Sequence, residues 1–252
     1  MNATDSPCMR VVQRAAALLI GSELLNGKVQ DANLQQLART LRALGIVLER
    51  AVILRDDRSA IAGEVRDLCQ RFDVVFTSGG VGPTHDDVTM AAIARAFERP
   101  LVPHPELENL LRGWYGQRCT PAHLRMAQLP AGTELVRAGD SWPALVFGNL
   151  WILPGLPEVF REMMLFVRAR LRGPRPLHTL TVRTKLDESE LVTTLDRVVT
   201  AHPGIEVGSY PQWRDPDCRT RVTFDGWELA SVQAATDFFM AMLPLNAPAS
   251  VE

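Results

Sequence analysis

Cysteine is scarce: Cys8, Cys69, Cys119 and Cys218 are the only four in 252 residues, and none forms a C-x-x-C pair. That excludes the common zinc and dithiol redox motifs. A disulfide framework is not expected in a chain this long with so few cysteines, which fits a reducing, cytoplasmic setting. A basic excess is also lacking, because Lys+Arg total 27 against 29 for Asp+Glu, a net charge of −2. Phosphate-backbone binding needs a basic face, so nucleic acid is not an expected partner, although a small nucleotide needs only a local site. No apolar run is long enough to span a membrane, so no membrane partner is expected. Arg10, Arg14 and the run Ala15 to Ile20 imitate a secretion signal. The imitation fails because Gln13 and Arg14 interrupt its approach and Gly21-Ser22-Glu23 follows with no A-x-A site.

Several catalytic signatures are missing too. Gly80-Val81-Gly82 has His85 where a dinucleotide fingerprint needs its third glycine, and there is no Gly-Lys-Ser/Thr phosphate loop. There is no His-Glu-x-x-His and no G-x-S-x-G elbow. Chemistry must therefore come from carboxylates, glycines and loop hydroxyls. What is present is an ordinary globular composition, 46% hydrophobic and 22% charged, without internal repeats.

After a tail at residues 1–10, the run Val11 to Ile20 is apolar and reads as a central strand. From Asp31, Leu34, Leu37, Ala38, Leu41 and Leu44 recur at helical spacing, with Gly45 as a C-cap. Ile46 to Leu54 alternates as a strand, and Arg58 to Phe72 is an amphipathic helix. Then comes Asp73 to Ser78, a buried-strand pattern, and a helix expected from about Asp86 to Phe97. Strand and helix alternate three times, which predicts a mostly parallel sheet covered on both faces. Helices are expected at His104 to Trp114 and from Pro121. Short strands follow at Glu134 to Val136, Ala144 to Phe147 and Leu150 to Leu153, and a closing helix spans Glu158 to Leu171. Arg172-Gly173-Pro174-Arg175-Pro176 is a linker, placing the first domain at 11–171. Residues 177–243 then read β-α-β-β-α, a small α+β domain, with 244–252 a C-terminal tail.

The stretch Ser78-Gly79-Gly80-Val81-Gly82-Pro83-Thr84-His85-Asp86-Asp87 stands out because a strand feeds a glycine turn and two carboxylates ahead of a helix. Glycines let backbone N–H groups approach a phosphate, and a helix N-terminus favours negative charge. Two carboxylates beside a phosphate repel it unless a divalent cation lies between them. Gly79, Gly80 and Gly82 are therefore candidate phosphate donors, with Thr84 adding a hydroxyl. Asp86 and Asp87 are candidate ligands for Mg2+ or a similar hard cation, which would polarise the phosphoryl group and activate water. Gly21, Ser22 and Glu23 end another predicted central strand and would face the same crevice. Asp56 ends the second strand as a further candidate ligand or general base.

These residues carry a resemblance. Thr77 to Thr89 resembles the signature of MoaB/MogA-like molybdopterin-binding domains, and is most similar to the CinA (competence/damage-inducible protein A) branch, in which Gly-Pro-Thr-x-Asp-Asp is typical. The likeness extends to Gly21-Ser22-Glu23-Leu24-Leu25, Gly27, Asn33, Asp56, Leu129-Pro130 and Leu153-Pro154-Gly155-Leu156-Pro157-Glu158. It covers about residues 11 to 171, and Gly208-Ser209-Tyr210-Pro211 looks like the small domain that follows in short members. The first domain of eukaryotic FAD synthase is similar as well. The resemblance implies a three-layer α/β/α sandwich with a nucleotide or pterin site at its strand ends. It adds Asn33, Ser78, Gly155 and Pro157 to the candidate substrate-binding residues. In the CinA branch it implies metal-dependent hydrolysis of a pyrophosphate bond, with ADP-ribose or FAD as typical substrates. It also implies a homo-oligomer, dimeric in that branch and trimeric among single-domain relatives. The alternatives are a molybdopterin-binding or adenylyl-transferring role, and a non-catalytic regulatory role. Two departures stand out: the chain ends before an amidase domain could fit, and Ala138-Gly139-Asp140-Ser141-Trp142-Pro143-Ala144 replaces the family's Gly-Thr-Ala-Pro-Gly.

Each assignment has a plainer rival. Thr84-x-x-Asp87 fits a helix capping box, and Asp86 suits a helix dipole. Asp56 is an ordinary turn residue, and Asn33 suits the orienting of a neighbouring loop. His104, His123, His178 and His202 lack ligand spacing, and Tyr210 and Trp213 fit packing as well as base stacking.

Overall fold

The computed structural model describes residues 9–136, 142–244 and 249–251. The chain divides into two compact units, Met1–Pro174 and Arg175–Glu252. The division falls within the expected linker, yet Arg172 and Gly173 are held by the first unit. Arg172 pairs with Val11, and Gly173 N–H donates to the Leu44 carbonyl at 2.6 Å.

The first unit opens with β1 (Arg10–Val11) and β2 (Arg14–Ile20), where the sequence predicts one continuous strand. The Asp73 carboxylate interrupts it by accepting from Gln13 N–H at 2.8 Å and Arg14 N–H at 2.9 Å. Those bonds, Arg14's foremost, hold the Asp73 carboxyl below the usual carboxylate range. Next come α1 (Ser22–Leu25), α2 (Asn33–Ala43), β3 (Val47–Leu54), α3 (Arg58–Arg71), β4 (Val74–Ser78) and α4 (Thr89–Ala96). Gly45 takes φ +71° just after α2, the left-handed turn expected of a C-cap. The chain continues through β5 (Leu101–Pro103), α5 (Pro105–Tyr115), a 3-10 turn (Gly116–Arg118), α6 (Pro121–Arg125) and β6 (Gln128–Pro130). It closes with β7 (Glu134–Val136), β8 (Ala144–Phe147), β9 (Leu150–Leu153), α7 (Pro157–Arg170) and β10 (Leu171–Arg172).

One six-stranded sheet runs β3-β2-β4-β9-β8-β7, parallel through β9 and antiparallel in its last two pairings. β2 shows why the sheet is covered on both faces. Ala15, Ala17 and Leu19 join one core with Leu37 and Leu41 of α2 and Phe160 and Met163 of α7. Ala16, Leu18 and Ile20 join the other with Ile61 and Val65 of α3, Ile93 of α4 and Leu107 of α5. Successive strand residues point to opposite faces, so a run with no polar position is stable only between two helix layers. Each large side chain fully buried this way contributes about 1.5–3 kcal/mol. The chain leaves β2 for β3 on one side, then crosses back to β4 on the other. Crossovers share one hand, so α2 and α3 lie on opposite faces and a crevice opens beyond the ends of β2 and β4. This is the expected three-layer α/β/α sandwich.

The second unit contains β11 (His178–Thr184), α8 (Glu188–Ala201), β12 (Glu206–Pro211), β13 (Thr220–Gly226), α9 (Leu229–Met242) and β14 (Ala249–Val251). Its antiparallel sheet runs β12-β13-β11-β14. Its core joins Val182, Val222 and Phe224 to Leu191 and Val198 of α8 and Val232 and Phe239 of α9. Asp187 and Glu190 form a capping box at the start of α8.

Three differences from the sequence reading have local causes. β14 lies in the expected C-terminal tail, because Ala249–Val251 supplies a fourth strand edge to β11. β5 and β6 were not expected and pair with each other outside the main sheet. α4 begins at Thr89 rather than Asp86, for reasons that belong to the site. Among the described residues Cys69, Cys119 and Cys218 are free, and burial pushes the Cys69 thiol up to about 12, which leaves it a poor nucleophile. Cys8 lies outside the described residues, as does most of the 1–10 tail. No helix among the described residues is long and apolar enough to cross a membrane.

Candidate functional site

The crevice beyond β2 and β4 holds a cavity of about 680 Å3. Of the residues singled out in the sequence, Gly21, Glu23, Asp56, Ser78, Gly79, Gly80, Gly82, Thr84, Asp86, Asp87 and Gly155 line it. Segments far apart in sequence thus meet in one place.

The glycine turn is fixed from below. Gly79 N–H donates to the Leu153 carbonyl at 3.1 Å, continuing the β4–β9 ladder. Its φ is +103°, and a Cβ there would run into the Ile20 carbonyl oxygen, so only glycine fits. Gly80 has φ +65°, with Thr89 Oγ1 where its side chain would be. Thr89 secures both glycines, its hydroxyl donating to the Gly79 carbonyl at 2.9 Å and its N–H to the Gly80 carbonyl at 3.0 Å. Thr89 is buried, and α4 can only start there. One expectation changes: Gly79 N–H is already engaged. Among the described residues, the N–H groups of Gly80, Val81 and Gly82 have no partner, and all three residues line the cavity.

The acidic end of the loop forms its own turn ahead of the helix, not a helix capping box. Thr84 N–H donates to Asp87 Oδ2 at 2.8 Å. Thr84 Oγ1 lies 2.6 Å from Asp86 Oδ1 and 2.5 Å from Asp87 Oδ2. One hydroxyl carries one proton, so it serves one of these carboxylates at a time, and the other rests on a backbone N–H, that of Thr84 for Asp87 or its own for Asp86. The Thr84 hydroxyl, then the residue's own N–H, hold the Asp86 carboxyl below its usual range, with His85 adding a smaller pull. Arg125 donates to the Pro83 carbonyl at 2.7 Å and fastens the loop from its far side.

At the opposite wall, Asp56 accepts from Ser22 N–H at 2.8 Å, and its own N–H donates weakly to Ser22 Oγ at 3.4 Å. Ser22 is engaged there and does not line the cavity, which corrects its assignment. Asn33 is corrected too. It is 4% exposed, and its amide donates to Ser78 Oγ at 2.9 Å and the Gly155 carbonyl at 2.8 Å. It holds the walls together from behind. Pro157 is the first residue of α7, where its fixed φ and missing N–H suit a helix start, and it also stands off the cavity.

Sequence reasoning missed an aromatic wall of Trp114, Tyr115 and Trp142. Trp114 and Trp142 pack with ring centroids 5.2 Å apart, and Tyr115 stacks on His123 at 3.8 Å. Trp114 and Tyr115 end a helix whose apolar spacing reads as core, but Trp114 is 46% exposed. That exposure was the missing signal. Of the segment that departs from the family's Gly-Thr-Ala-Pro-Gly, residues 138–141 lie outside the described residues, while Trp142 lines the cavity. Glu162 also reaches the cavity, so five carboxylates line it (Glu23, Asp56, Asp86, Asp87, Glu162), and no Lys, Arg or His does among the described residues.

Could these residues hold a metal? Among the described residues no three His, Cys, Asp or Glu side chains converge as a preformed site. The Asp86 and Asp87 oxygens, crowded on one hydroxyl, are hard donors. Two carboxylates completed by phosphate oxygens and water is the usual setting for Mg2+, which distinguishes this arrangement from a closed zinc site.

Residues 16–173 match the model of the family described as probable molybdopterin binding domain, and residues 176–252 match that of the FAD synthase middle domain. The chain belongs to the molybdopterin-binding-domain family. Within it, it stands with the CinA-like proteins. It is 32% identical over 231 residues to a CinA-like protein of Desulfosudis oleivorans, matching 82% of this chain but 56% of that one. The chain therefore spans little more than half the length of that relative. A protein of Archaeoglobus fulgidus is 30% identical over 225 residues, 89% of this chain and 95% of its own. The crystal structure of CinA, of unknown function, from Thermoplasma acidophilum superposes with a TM-score of 0.56 at 28% identity, covering 61% of this chain and 95% of that one.

Proposed function

We propose that the protein is a metal-dependent nucleotide pyrophosphatase acting on a dinucleotide such as ADP-ribose or FAD. One observation carries the reading. In a single cavity, the unpartnered N–H groups of Gly80, Val81 and Gly82 stand beside the carboxylates of Asp86 and Asp87. The first set suits phosphate oxygens, the second a cation. Among the described residues every charge-bearing side chain on the wall is a carboxylate, so an anionic pyrophosphate needs an accompanying cation to enter.

In this reading the Gly80–Gly82 donors orient the pyrophosphate. Asp86 and Asp87 would hold a divalent cation of the Mg2+ class, which when bound would supply charge to a phosphoryl oxygen and to a water. Thr84 keeps Asp86 ionised and aimed. Asp56, with one oxygen on Ser22 N–H, has the other available to take a proton from the attacking water. Water adds to one phosphorus, the bridging P–O bond breaks, and two phosphate monoesters leave. Trp114, Tyr115 and Trp142 offer faces for a flat ring. The match of the second unit to the FAD synthase middle domain supports a nucleotide substrate.

A second reading, molybdopterin binding, is favoured by the description of the matched family, and the same aromatic wall suits a pterin. The test incubates the purified chain with ADP-ribose, FAD and NAD, with Mg2+ and with chelator, and follows mononucleotide release. Turnover that needs metal is expected for at least one of them. Absence of turnover for all three, together with tight binding of molybdopterin, would establish the second reading instead.

A further inference from the structure

The loop of residues 80–88 has a second face. Behind it lies a separate cavity of about 420 Å3, with Gly80, Val81, Gly82, Thr84, Asp87 and Met126 common to both walls. The charge reverses across this partition. Arg58, Arg125 and His85 line the second cavity, and Asp87 is the only acid there among the described residues. Arg58 has no ion-pair or hydrogen-bond partner among the described residues. It sits in the first turn of α3, where the helix dipole disfavours a cation. The dipole and the nearby Asp57 cap leave it positioned without being neutralised, since the Asp57 carboxylate already accepts from Ala60 N–H at 2.8 Å. Arg125 has a neutral partner, the Pro83 carbonyl, and no carboxylate partner among the described residues.

We propose that this arginine-lined cavity is an anion site for a phosphate group, inorganic or as a monoester, and that filling it acts on the loop through Arg125. Guanidinium groups favour bidentate contacts to phosphate oxygens over a single carbonyl. A phosphate drawn between Arg58 and Arg125 competes with the Pro83 carbonyl for the Arg125 fork. Releasing that carbonyl frees the far side of the turn that carries Thr84, Asp86 and Asp87. A phosphate product or effector could thereby be sensed at a place distinct from the acidic cavity, and the site does not depend on the pyrophosphatase reading.

The test is titration calorimetry of inorganic phosphate, and separately of AMP, into the full chain without metal. One phosphate per chain is expected. Arg58→Gln weakens binding about tenfold or more, and Arg125→Gln does likewise. Glu162→Gln, in the acidic cavity and away from the shared loop, leaves it within about twofold. AMP binds and adenosine does not if the phosphate group is what is recognised. The proposal is overturned if phosphate fails to bind, if Arg58→Gln binds as the parent does, or if Glu162→Gln weakens binding as much as Arg58→Gln does. Arg58 is exposed, so its variant keeps the test open should Arg125→Gln disturb the loop. Binding is read here and turnover in the earlier experiment, so either can fail without the other.

Discussion

At the end of β2 the chain passes straight into α1, and its first N–H is tied across to Asp56. At the end of β4 it runs through residues 79–88 before α4 begins, and the fastenings are mostly side chains: Thr89 below, Thr84 and Asp87 within, Arg125 behind. Both ends face one cavity, yet the first is a wall and the second an arm. The difference follows from composition. Gly79 and Gly80 adopt backbone angles that other residues resist, and Pro83 cannot donate to a ladder, so no regular element can form until Thr89. An arm held by a few hydroxyls and one arginine can adjust to a ligand in a way that a strand-to-helix junction cannot.

The sharpest way to break this comparison is to remove chemistry from the arm. Asp86→Ala is expected to lower turnover roughly a hundredfold or more, while the melting temperature moves by only about 2 °C because the side chain is largely exposed. Ser22→Ala, at the β2 end, should leave turnover within about twofold. Comparable losses at both ends would show that the Ser22 hydroxyl, and not only the neighbouring Asp56 carboxylate, takes part in the chemistry.

Gly79→Ala tests where the arm is rooted. The strained φ and the Ile20 carbonyl in the path of a Cβ should cost about 2 kcal/mol or more of stability, read from urea unfolding. An unchanged midpoint would mean that the root is softer than its hydrogen bonds imply.

The smallest expected effect concerns pH. The Thr84 hydroxyl holds the Asp86 carboxyl below its ordinary range, so the ionised form persists further into acid. The associated stabilisation is fully present above the unfolded value of about 3.9 and fades as pH falls through the lower folded value. Thr84→Val lets the carboxyl rise toward that ordinary value. The acid limb of the kcat/KM profile should then move to higher pH. A shift in the opposite direction would remove Thr84 from the account.

Much of the fold was legible because the central strands carry it openly. The polar-free run from Ala15 to Ile20 allows only a doubly covered position, and helical spacing from Leu34 to Leu44 covers one face. The short pairs were not legible: Leu101–Pro103, Gln128–Pro130 and Ala249–Val251 are three residues each, too short to display a period. At the site, the glycines and acids declared themselves by type and order. Tyr115 and Trp114 did not, because an aromatic facing a cavity and one facing a core share the same spacing. Asn33 was open between two roles for a different reason. A buried amide that braces two loops looks, in sequence, like one that touches a ligand.

That same amide sets an order of events in folding. Asn33 bonds partners 45 and 122 residues away, at Ser78 and Gly155. The first bond needs α2 and the end of β4 together, and the second needs the end of β9 as well, so the loop-closure entropy must be met first. The pocket is therefore among the last parts of the first unit to appear. A fragment that stops before Gly155 can build β2, β3 and β4 but leaves the Asn33 amide with only one of its two partners, Ser78.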